Sequence, residues 1–143
     1  MKKLLTTALI LITFLTPKQA FAATAAAVIE GTEEGSELFG SANFEETDEE
    51  LRAEISVFGA PAGQHGIHIH ENGSCEDHGN AAGGHFNPDG VEHGFLTTDG
   101  FEGAHAGDLG NIEINEMGEG TLYLVLSGLK VKEGKYGVSG RSI

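Results

Sequence analysis

Between Leu51 and Val57, Leu51, Ala53, Ile55 and Val57 share one parity, while Arg52, Glu54 and Ser56 take the other. A period of two marks a strand with one buried face. Leu122, Leu124 and Leu126 repeat the pattern near the end of the chain, ahead of a Gly-Leu-Lys loop. Shorter apolar runs at Ala27–Glu30 and around Leu38, Phe39 and Phe44 predict two more strands, with the acidic segment 31–35 as the turn between them. Phe58 reads as a break in the alternation before a Gly59-Ala60-Pro61 turn, and the acids of Glu45–Glu50 read as a solvated hairpin loop. After residue 22 no stretch keeps a capped apolar period of 3.6, so no helix is predicted. No internal repeat is present. Short strands about ten residues apart, separated by glycine-rich turns, predict an all-β fold, an antiparallel sandwich or Greek-key barrel.

The first residues follow a different rule. Lys2 and Lys3 precede an apolar run from Leu4 to Leu15, and Ala20-Phe21-Ala22 has the small-x-small pattern of a signal-peptidase site. Residues 1–22 are therefore expected to be a signal peptide cut before Ala23, with 23–143 as one domain. The run is short for a membrane span, and the absence of a nearby cysteine gives lipoprotein processing no support. The MKKLL start has the look of a bacterial export signal, so the expected home is the periplasm or the cell exterior, where disulfides persist.

Charge sharpens this picture. Cleavage would remove three lysines and no acid, leaving five basic side chains against 22 acidic ones, a net charge of −17. Such a surface repels nucleic acid and anionic lipid, so neither is an expected partner. It would also repel an anionic substrate unless the site carried a local positive field. About 121 residues suffice for one core.

The candidate chemistry is concentrated. All seven histidines and the single cysteine lie between Gln64 and Asn111. Imidazoles gathered near a carboxylate form the ligand set of zinc and copper. Residues two apart on a strand share a face, so His68 and His70 can converge on one metal while Ile67 and Ile69 turn to the core. His65 has the parity of the isoleucines and is expected to be a core histidine with a backbone partner. His85, His93, His105 and Asp108 stand in glycine-rich loops, whose backbone freedom lets distant ligands meet. Three nitrogens and a carboxylate oxygen complete a closed tetrahedral zinc site, which would be structural and would pin a long loop without secondary structure. His78 reads as an exposed loop residue. Cys75 is alone, which in an exported chain calls for a partner or a metal.

HGIHIHENGSC, AGGHFNP and HAGDLGNI resemble, in order and approximate spacing, the signature segments of the copper/zinc superoxide dismutases. LSGL and the closing GVSGRSI resemble that family's approach to its seventh strand. The resemblance implies an eight-stranded Greek-key barrel holding both metals. It places copper on His68, His70 and His85 and zinc on His85, His93, His105 and Asp108. His85 becomes the bridging imidazole, which takes a proton during turnover with superoxide as substrate. Cys75 falls on one half of an intrachain disulfide whose partner is absent. In the family a further copper-binding histidine, an aspartate behind the metals, a charged loop, an arginine and the second cysteine all follow the GR pair. Here they would lie past Ile143, so the resemblance implies a chain cut short, with the last strand and part of the seventh missing. Three readings follow: a dismutase in incomplete copy, a non-enzymatic copper- and zinc-binding relative, or an inert fragment. Oligomeric state stays open, a homodimer included.

Overall fold

The computed structural model describes residues 22–48, 50–132 and 134–143. Apart from Ala22, the expected signal peptide lies outside the described residues. The described residues contain six strands: β1 (Thr24–Glu30), β2 (Phe39–Glu46), β3 (Glu50–Phe58), β4 (Gly63–His68), β5 (Asp108–Ile114) and β6 (Glu119–Ser127). All pairings are antiparallel, in one sheet ordered β1-β2-β3-β6 and a second formed by β4 and β5.

Register explains why the alternation was informative. Ala27, Ala42, Ile55 and Leu122 lie side by side across the four-stranded sheet, as do Ala25, Phe44, Ala53 and Leu124. These rows face the second sheet, and Leu51, Ile55, Ile69, Leu109, Ile112 and Leu126 are buried between the two. The intervening row, Ala26, Asn43, Glu54 and Tyr123, faces outward, with Tyr123 70% exposed. The fold is all-β as predicted. Among the described residues, however, no hydrogen-bonded pairing links β1 or β6 to β4 or β5, so the barrel is open. A cavity of about 280 Å³ lined by Ile29, Leu38, Val57, Ile112 and Ile143 lies between the sheets.

Three local expectations need correction. Phe58 does not break β3; it keeps the outward parity of Arg52, Glu54 and Ser56 and stacks on Phe39 at 5.1 Å. The Glu45–Glu50 acids are not all loop, because Glu45 and Glu46 close β2 and Glu50 opens β3. Glu46 is also tied down, accepting the Val131 N–H at 2.6 Å and facing Lys130 at 3.5 Å. The long histidine loop contains a helix, α1 (Leu96–Gly103), interrupted where Gly100 adopts φ 64°. Its Leu96 is buried, and Phe101 stacks on Tyr136 at 3.9 Å, so packing rather than period holds it.

Candidate metal centre

Three backbone segments are laced together beneath the histidines. The Ile69 N–H donates to Gly107 O at 2.9 Å, the Phe86 N–H to Ile69 O at 2.8 Å, and the Gly107 N–H to Phe86 O at 2.9 Å. Each laced residue adjoins a candidate ligand: Ile69 lies between His68 and His70, Phe86 follows His85, and Gly107 precedes Asp108. A Cβ at Gly107 would lie 2.2 Å from Ile69 O, so only glycine allows this approach.

Asp108 is the fixed point. It is fully buried, and its Oδ2 accepts the backbone N–H groups of Gly94 and His105, each at 3.0 Å. Three imidazoles present Nδ1 to the same carboxylate: His85 at 2.9 Å and His105 at 3.2 Å to Oδ1, and His93 at 2.8 Å to Oδ2. Burial alone would raise the Asp108 pKa. The Gly94 N–H, the His85 ring and the His105 N–H outweigh it and hold the carboxyl below its ordinary range.

These residues fit a metal. Although His105 Nδ1 is 3.2 Å from the carboxylate, it lacks hydrogen-bond geometry and is a buried nitrogen without a partner. A cation accepted by that lone pair would satisfy it. Tetrahedral zinc with bonds near 2.0–2.1 Å has ligand-to-ligand edges of about 3.3 Å, close to the 2.8–3.2 Å separations between carboxylate and rings.

His68 and His70 also gather around His85. The His68 ring stacks on His85 with centroids 3.9 Å apart, and His70 meets it edge-on at 5.2 Å. His70 Nδ1 lies 3.0 Å from Gly83 O, which fixes the proton on Nδ1 and leaves Nε2 as a lone pair. Burial, followed by the neighbouring His85, lowers the His68 pKa to about 4, so the ring is neutral and competent as a ligand at neutral pH. Among the described residues, the ligand atoms of His68, His85, His93 and Asp108 all lie within 4.8 Å of one another. This gathering draws from both expected sets, whereas the expected zinc set has His105 where the gathering has His68. The orphaned Nδ1 of His105 lies 3.2 Å from the same carboxylate, beside this gathering.

The remaining candidates stand apart. His65 finds its backbone partner, Pro61 O at 2.8 Å, but it is half-buried on the cavity wall rather than in the core. Strand parity predicted burial because it assumed a covering layer on that side. His78 is exposed beside Glu33, and Cys75 is exposed and free. Sequence reading missed Arg141. Its guanidinium donates to Gly137 O and Glu71 O at 2.8 and 3.0 Å and lies 3.4 Å from the Phe86 ring centroid, bracing the neighbours of His70 and His85. The GRSI motif marked its position but not its contacts.

The family model described as copper/zinc superoxide dismutase matches residues 38–143. The extracellular superoxide dismutase (Cu-Zn) of Caenorhabditis elegans is 40% identical over 107 residues, spanning 75% of this chain and 47% of that protein. The superoxide dismutase (Cu-Zn) of Deinococcus radiodurans is 39% identical over 117 residues, 73% of this chain and 62% of its own. A copper chaperone for superoxide dismutase from Mus musculus is 37% identical over 121 residues, 83% of this chain and 40% of its own. The chain thus spans roughly half of the curated relatives it matches. The crystal structure of the clock protein EA4 superposes with a TM-score of 0.71 at 27% identity, covering 84% of this chain and 72% of that one.

Proposed function

The chain belongs to the copper/zinc superoxide dismutase family, and from that premise we propose that it takes part in superoxide dismutation, two superoxide anions and two protons giving oxygen and hydrogen peroxide. In this reading His68, His70 and His85 hold copper, and His85, His93, His105 and Asp108 hold zinc. The carrying observation is the position of His85, with Nδ1 2.9 Å from Asp108 and its ring face 3.9 Å from His68. Copper bound there supplies the one-electron change the reaction requires.

The protein's own groups do the rest. Asp108 gathers three Nδ1 atoms and fixes the ring planes. Because Nδ1 of His85 is engaged on the Asp108 side, Nε2 is the nitrogen that takes and gives up a proton. Gly83 O sets the His70 tautomer. The test is stopped-flow decay of superoxide with metal-loaded protein and with His85→Ala, the variant being expected to lose most of the rate.

Three finer statements belong to the same reading. Residues 1–22 direct export to the periplasm or cell exterior, supported by the Lys-Lys, apolar and Ala-Phe-Ala order and by relatives named extracellular in Caenorhabditis elegans and Drosophila melanogaster. Residues 23–143 form a single domain, whose acidity argues against nucleic-acid or membrane partners. Cys75, exposed and free, falls where the family resemblance puts one half of a disulfide, and a homodimer fits the strand edges of β1 and β4 left unpaired among the described residues.

The match to copper chaperones in Homo sapiens and Mus musculus, at 35% and 37% identity, favours a second reading, metal handling without turnover. Tight copper binding with no acceleration of superoxide decay would select it.

A further inference from the structure

We propose that Gly66 is a positioning residue for His68: its missing side chain is the space into which the His68 ring folds. The inference rests on the reading of His68 as a copper ligand. Gly66 lies inside β4, paired with Asn111, and the register breaks between Ile67 and His68, where the His68 ring folds back over Gly66. A Cβ built on Gly66 would sit 2.8 Å from His68 Cε1, 3.5 Å from Nε2 and 3.6 Å from Nδ1. The first separation is too short for any side chain, so the ring could not stay where it is.

A ring displaced from this position also shifts against His85, on which it now stacks at 3.9 Å. The Asp108 contacts to His85, His93 and His105 do not involve this face. Glycine inside a strand weakens it and marks a place where something approaches closely; here the approaching group is an imidazole two residues away. Gly66 is not among the residues with positive φ, so alanine fits the backbone and only the ring has to move.

The experiment is Gly66→Ala in the full chain, titrated with zinc and then with copper, with Cu(II) EPR spectra recorded beside the affinities. His68→Ala in the otherwise unaltered chain is the control on the premise. If that control leaves copper binding unchanged, the ligand reading fails and this inference with it. Where the control weakens copper, Gly66→Ala is expected to lower copper affinity about 10–100-fold, as removal of ligand-orienting groups does, to change the EPR hyperfine pattern, and to leave zinc affinity within about twofold. Copper affinity and EPR spectrum unchanged by alanine would overturn the inference, as would zinc affinity falling in step with copper. Should the variant fail to fold, the unaltered zinc-loaded chain decides by NMR. A cross-peak between Gly66 Hα and His68 Hε1 is expected, and its absence overturns the inference.

Discussion

Nδ1 of His85 lies 2.9 Å from Oδ1 of Asp108, a carboxylate with no exposed surface. A buried charge is stable only when its oxygens are satisfied, and here two backbone N–H groups and the His85 ring hydrogen-bond to them, with His93 and His105 close by. The same contact orients His85 and leaves its second nitrogen free for another partner.

Asp108→Ala should therefore cost about 3 kcal/mol in urea unfolding, the scale for breaking a buried charged pair, and should abolish zinc binding. In the unaltered protein, chelating zinc should lower the melting temperature by about 10 °C, as expected for several kcal/mol lost from a small domain. Equal melting curves with and without chelator would contradict a structural zinc.

Stability should fall on acidification. His68 has a folded pKa of about 4, below its ordinary 6.5, and Asp108 is also held below its ordinary range. A depressed pKa means that the unfolded state binds the proton more readily, so each group's contribution is present at neutral pH and lost as pH falls. For His68 the loss runs from pH 6.5 down to about 4. Melting temperatures of the metal-free protein across that window should drop, and His68→Gln should flatten the slope. An unchanged slope in the variant would assign the loss elsewhere.

His65→Ala removes a single hydrogen bond to Pro61 O. On a half-buried site this should cost about 1 kcal/mol, with zinc and copper affinities unchanged. Loss of copper without loss of stability would move His65 into the ligand set.

Arg141→Lys should behave as a non-conservative change. Lysine cannot keep both carbonyl contacts while lying flat on Phe86. A loss of about 1–2 kcal/mol is expected from the cation–π contact and one hydrogen bond, measured by chemical denaturation.

What could be read from the sequence followed period and motif. Strands β3 and β6 were legible because one face of each is covered, which imposes a strict period of two. The candidate residues could be singled out because HIH, GGH and HAGD keep their order, and the all-β class followed from strand spacing. The helix α1 was not legible: eight residues with Gly100 at φ 64° cannot display a 3.6 period. Phe58 misled because an outward aromatic, stacked on Phe39, looks like a break in alternation. The depth of His65 was misjudged because parity reports a direction and not what lies above it. The backbone donors to Asp108 and the Arg141 brace depend on contacts between distant residues, which no local pattern encodes.

Whether one imidazole serves both halves of the proposed centre is decided by metal titrations of three variants. His105→Ala should weaken zinc and spare copper, His70→Ala should weaken copper and spare zinc, and His85→Ala should weaken both. A His85→Ala protein that binds either metal as tightly as the unaltered chain would contradict the account.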